Sequence, residues 1–175
     1  MFKIKSKPRE SASVGTHNAV CTQLVDLGTH EDQKFGTKRR ELMITFEIEE
    51  RNSHGQRFTI SSFYSHSMHP KSKLRQHIEG WKGGMSDRDA YNYDLERLSC
   101  VGAFLNIQET ESGRRKVSSI SPLPQSMETL KPEGEVFCFS IDEYPENSEI
   151  FEELSDFAKE KIESSEEFIK KEIEV

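Results

Sequence analysis

From Leu42 to Glu49 apolar and polar positions alternate without a break. Leu42, Ile44, Phe46 and Ile48 fall on one side, and Met43, Thr45, Glu47 and Glu49 on the other. A period of two predicts a strand with one buried and one solvated face. Upstream, Ala19 to Leu27 is strand-like and closes at Gly28. Downstream, the turn residues Asn52-Ser53-His54-Gly55 lead into a third strand at Arg57–Ser61, which makes a hairpin with the second. The period then changes. Pro70 opens a helix at its first turn, Leu74, His77, Ile78 and Trp81 recur at helical spacing, and Gly83-Gly84 ends the run. A short helical turn at Asp94–Leu98, an alternating strand through Val101, Ala103, Leu105 and Ile107, a Ser112-Gly113 turn and a last strand at Lys116–Ile120 complete the body.

Three strands, a helical insert and two more strands predict a mainly β fold, a five-stranded oligonucleotide/oligosaccharide-binding (OB) barrel with its insert between strands 3 and 4. An SH3-like barrel or an unrelated α+β sheet gives the same order. Beyond the body, Ser148 caps a predicted helix carrying Phe151, Leu154, Ala158 and Ile162. Ser164 and Glu167 form a capping box for a second helix with Phe168, Ile169 and Ile173. The chain divides into a flexible basic arm (1–13), the OB domain (14–127), a linker with the short apolar segment Val136–Phe139 (128–147) and an acidic amphipathic helical tail (148–175).

Charge follows the same division. Residues 1–127 carry 19 Lys and Arg against 15 Asp and Glu, whereas residues 128–175 carry 5 against 16, so the net charge of −7 conceals two regions of opposite sign. A mildly basic body with an acidic tail suits a protein that handles nucleic acid under restraint from its own tail. The sequence excludes much else. It holds no apolar run of the roughly 18 residues that span a bilayer, and no signal peptide, so no membrane association is expected. Cys21, Cys100 and Cys138 are odd in number, widely spaced and each flanked by apolar residues, and read as buried free thiols in a reducing cytoplasm. There is no phosphate-binding Gly-rich loop, no Gly-x-Ser-x-Gly elbow and no His-Glu-x-x-His. His66-x-x-His69 lacks companion ligands, and Asp87, Asp89 and Asp94 suit helix capping and solvation. A non-catalytic protein without metal or cofactor is expected.

Sequence-neutral binding of single strands needs cations along the phosphates and aromatic faces for the bases. The loops of an OB barrel that flank its ligand join strands 1–2 and strands 4–5. The first carries Lys34, Lys38, Arg39 and Arg40, and the second Arg114, Arg115 and Lys116. Arg57 opens the third strand. Lys71, Lys73 and Arg75 crowd a helix start, where cations oppose the helix dipole and a phosphate would relieve them. Of the aromatics, Phe58 shares a face with Ile60 and suits the core, as does Trp81 on its helix. Phe63 and Tyr64 must point to opposite faces, with Tyr64 the expected exposed partner. Phe35, in a polar loop, is a further contact candidate.

Several segments resemble a family of small bacteriophage OB-fold single-stranded DNA-binding proteins. They are Val14-Gly15-Thr16-His17-Asn18-Ala19-Val20-Cys21, Val25-Asp26-Leu27-Gly28-Thr29, Tyr64, Lys71-Ser72-Lys73-Leu74-Arg75 leading to Trp81, Asp94-Leu95-Glu96-Arg97-Leu98 and Ser119-Ile120-Ser121-Pro122-Leu123-Pro124. The tail matches in Phe151-x-x-Leu154 and Lys161-Ile162-x-Ser164. The chain departs from the family at Ser99-Cys100-Val101-Gly102, where a Gly commonly follows the short helix. The resemblance implies an OB fold and a part in phage DNA replication or recombination. Single-stranded DNA is the expected partner, with replication or recombination proteins recruited through the acidic tail. An OB-like protein-interaction module with little DNA affinity is the alternative.

Overall fold

The computed structural model describes residues 2–4 and 9–174; Met1, residues 5–8 of the basic arm and Val175 lie outside them. The chain is mainly β. Its strands are β1 (Gly15–Glu31), β2 (Lys38–Arg51), β3 (Arg57–Ser65), β4 (Gly102–Glu109), β5 (Arg115–Ser121) and β6 (Phe137–Phe139). They form one sheet in the order β3-β2-β1-β4-β5, antiparallel throughout, while β6 runs parallel to β1 along Gln23–Val25. Among the described residues the count is therefore six strands, not five. No hydrogen-bonded ladder joins β3 to β5 among the described residues, so the sheet is open where a closed barrel was expected. The helices are α1 (Lys73–Lys82), α2 (Asp87–Tyr91), α3 (Ser148–Glu153), α4 (Asp156–Glu163) and α5 (Glu166–Ile173). Among the described residues none is long and apolar enough to cross a membrane.

The alternation in β2 sets the inner core. Leu42, Ile44, Phe46 and Ile48 all point inward with Ala19, Cys21 and Leu24 of β1, Ile60 and Tyr64 of β3, and Ala103, Leu105 and Ile107 of β4. Helix α1 closes one end with Leu74, Ile78 and Trp81. The Trp81 ring lies 5.4 Å from Phe46, and its indole N–H donates to the Gly102 carbonyl at 2.8 Å. The helix starts later than Pro70 suggests, because Ser72 is the residue whose hydroxyl accepts from the Arg75 N–H at 3.1 Å. Gly83, at φ 76°, ends it as expected.

The other face of β2 is not solvated in its middle. Met43, Thr45 and Glu47 are buried because the chain beyond residue 127 folds back over them. Val25, Leu27 and Met43 make a second core with Phe139, Ile141, Phe151, Leu154, Ala158, Ile162 and Phe168. The segment taken for a linker thus contributes a strand and part of a core. The tail is three helices. The first run breaks at Leu154, and Ser155 caps α4 through the Ala158 N–H. Ser165, not Ser164, caps α5, while Glu167 turns to the Thr29 N–H at 2.7 Å. At the other terminus, residues 10–13 are fastened to the body: Ala12 is buried, its carbonyl accepts from Arg115 Nε at 2.6 Å, and the Ser13 N–H donates to Glu50 at 2.8 Å.

Two backbone positions carry this arrangement. Gly28 sits at a register shift of β1 with φ 77°, and a Cβ there would collide with the Ser165 side chain. Cys100 takes φ 61°, a left-handed conformation in which a side chain is strained. Replacing Gly28 by Ala is expected to lower the thermal midpoint and to loosen α5, read as faster amide exchange in residues 166–173. Cys100→Gly is expected to raise stability by about 1 kcal/mol in denaturant unfolding. An unchanged midpoint in either variant would contradict the conformations described.

Candidate nucleic-acid interface

The two basic clusters lie at opposite ends of β1, with Lys38, Arg39 and Arg40 in β2 and Arg115 and Lys116 in β5 rather than in the loops where they were expected. Glu31 pairs with Lys38 where β1 turns into β2, and Gly15 pairs with Ile107 near the β4–β5 loop. A strip joining them runs along β3, whose outward residues are Thr59, Ser61, Phe63 and Ser65. There the cover supplied by the tail stops. Met43 and Phe63 are cross-strand partners, yet Met43 is buried and Phe63 is 45% exposed.

Several of the expected contact residues are committed to the fold. Arg57 binds Glu47 at 2.8 Å and the Lys131 carbonyl at 2.8 Å. Burial alone would push the Glu47 carboxyl up, but the N–H groups of Glu133 and Gly134 together with Arg57 outweigh it and hold it below the usual range. Arg75 is buried rather than presented at the helix start, and binds Glu79, Asp87 and the carbonyls of Met68 and Met85. Ser72 donates to the Ser67 carbonyl at 2.7 Å, so that helix start is already satisfied. Arg40 is paired with Asp26 and, at 3.2 Å, with Asp142. Lys38 meets Glu166 of the tail at 2.5 Å, and Arg115 meets Glu109 at 3.2 Å.

The aromatic assignment reverses. Tyr64 is buried, and its hydroxyl lies 2.7 Å from His77 Nδ1, whereas Phe63 is the exposed ring. The signal was present in the sequence: Ile60 lies four residues before Tyr64, and even spacing puts both on the inner face. Phe35 is exposed as expected, with Lys34 Nζ 5.3 Å from its ring centre.

The remaining cations, Lys34, Arg39, Lys71, Lys73, Arg114 and Lys116, have no carboxylate partner among the described residues. Two clefts collect several of them at the two ends of β3. Arg114 lines the first, beside Phe58–Ser61. Arg39 and Lys73 line the second, beside Phe63–Ser65. Lys73 Nζ donates to the Phe63 carbonyl at 3.2 Å on the free edge of β3 and stands 4.8 Å from the Tyr64 ring centre. Burial, reinforced by the nearby Lys116, pulls its pKa down. Lys34, Phe35, Lys71 and Lys116 fall outside both clefts.

Other chemistry is sparse. Among the described residues no group of three His, Cys, Asp or Glu side chains is placed to hold a metal ion. The three cysteines are unpaired; Cys21 is buried and burial pushes its thiol far up, whereas Cys100, expected to be buried, is exposed on its turn. Comparison with family models and with curated proteins returns no match for this chain.

The Tyr64–His77 pair gives the interface a pH limit. Burial, aided by the Lys73 charge, pushes His77 down from 6.5 to about 4. The unfolded chain therefore takes up a proton below pH 6.5 that the native state refuses, and stability falls as pH drops through that window. The expected loss is about 2 kcal/mol between pH 7 and pH 5, before the carboxylates titrate. Urea titrations should show that decline in the native chain and a flatter profile in His77→Gln; equal slopes would mean the histidine is solvated.

Proposed function

We propose that this protein binds single-stranded DNA without catalysis, along the outward face of β3. One observation carries the reading: a half-exposed Phe63 at one end of β3 beside Arg39 and Lys73, with Arg114 at the strand's other end, all three cations lacking carboxylate partners among the described residues. Phosphates need the second feature and bases the first. The strand order β3-β2-β1-β4-β5, with α1 between β3 and β4 in the chain, supports assigning the body to the OB class, with the sheet open between β3 and β5. The resemblance to phage single-stranded DNA-binding proteins supports a role in replication or recombination. A second reading, docking of a protein partner on the tail, draws on Ile169 and Ile173, which are exposed on α5.

Changing Arg39, Arg114 and Lys116 together to Ala should weaken binding to a thymidine oligonucleotide. It should also reduce the slope of log affinity against log salt by about 2, at roughly 0.7 per phosphate contact on single strands. Fluorescence anisotropy across a salt series measures both, and an unaltered slope would place the DNA elsewhere. Absence of binding by the unmodified chain to single strands at low salt would favour the protein-docking reading.

A further inference from the structure

The acidic tail supplies more than cover. Helix α4 carries Phe157 and Lys161 to the end of β3, where they face Phe63, Arg39 and Lys73 across a cleft of about 440 Å³ floored by Leu27. The Phe63 and Phe157 ring centres are 5.7 Å apart with their planes at 76°, and both rings are close to half exposed. An edge-on pair of this kind leaves open faces, so a flat ring can lie on one phenyl while its edge meets the other. Cations surround the pair. Arg39 has no carboxylate partner among the described residues, and Lys73 has only a carbonyl and a hydroxyl. Lys161 is held by Glu41 at 3.2 Å, and Glu41 is the one acid lining the cleft. Three positive charges against one negative, around two uncovered aromatic rings, match a nucleotide: a base for the rings and phosphates for Arg39 and Lys73. An acidic peptide would satisfy the charges and leave the rings in water.

We infer that this cleft stacks one base of a bound single strand, with α4 of the tail as one wall of the site. The inference rests on the single-strand reading above and reverses the simplest expectation for an acidic tail, that it competes with DNA for the groove. The tail's carboxylates Glu166 and Glu167 are turned to Lys38 and Thr29 at the β1–β2 loop, away from the cleft lining. The residues α4 contributes to the cleft are a ring and a cation.

The test uses the full chain, since β6 and the tail helices share a core with β1 and β2. Binding of the native protein and Phe157→Ala is compared on a thymidine oligonucleotide and on one of equal length made of abasic sites. Phe157→Ala should bind the thymidine strand about tenfold more weakly, the size of one lost stacking contact. It should match the native protein on the abasic strand, and Phe157→Trp should restore binding. An unchanged thermal midpoint shows that the half-exposed ring is not needed for folding. Equal or tighter thymidine binding by Phe157→Ala overturns the inference and leaves the single-strand reading standing. An equal loss on both strands also overturns it, because the effect would then not be stacking. Failure of the native protein to bind either strand overturns the single-strand reading, and this inference with it.

Discussion

Everything in this fold depends on β1 having two apolar faces. Ala19, Cys21 and Leu24 point into the inner core, Val25 and Leu27 point outward, and the register shifts after Cys21 and Asp26 bend the strand so that its second half leaves β4 behind. A strand that is apolar on both sides must be covered on both sides. The β2–β5 strands and α1 cover only one. The second face, with Met43 beside it, buries itself under β6 and the three tail helices, and Phe139 pairs in register with Val25 to start that cover.

The acidic character of the tail is therefore secondary to its attachment. Its ion pairs to the body, Glu166 with Lys38, Asp142 with Arg40 and Lys161 with Glu41, are at least partly exposed. Pairs of that kind contribute little, because water screens them, and weaken further in salt. Fully burying Phe151, Leu154, Ile162 and Phe168 contributes about 1.5–3 kcal/mol for each of these side chains. The apolar term dominates, so the tail stays docked at ionic strengths that screen its charges. The negative charge then acts as a fixed field beside the β1–β2 loop, neutralising Lys38 and part of Arg40 and leaving Arg39 as the cation of that cluster that faces a cleft.

The sequence made legible those elements whose pattern answers to one neighbour. The period of two in β2 and β4, and the helical spacing of Leu74, Ile78 and Trp81, each report a single buried face. It was silent where two faces or distant partners decide. Met43 and Glu47 read as solvated because their cover begins more than 80 residues later, at Glu133 and beyond. Arg57 and Arg75 read as candidate contacts because nothing local shows that Glu47, Glu133 and Asp87 will engage them. The break at Leu154 was visible only as Ser155, a cap signal lost within an unbroken apolar spacing.

A basic residue in this chain thus has one of two fates, and geometry separates them. Where the outer face of the sheet is covered, the cations beside it are drawn into pairs that secure the cover: Arg40 and Lys38 under the tail, Arg57 and Arg51 under residues 131–134. Where the cover ends, between Met43 and Phe63, the acid in the cleft lining, Glu41, is taken by Lys161, which leaves Arg39 and Lys73 without a carboxylate among the described residues. The carboxylates of the tail are tied to the β1–β2 loop or face solvent, and the side chains α4 turns toward β3 are Phe157 and Lys161. What remains there is a β-surface with one half-exposed aromatic ring, bordered by cations without carboxylate partners among the described residues. On β2 the neighbouring outward positions Met43, Thr45 and Glu47 are buried, and the contrast with Phe63 is the physical ground of the proposal that a ligand lies on β3.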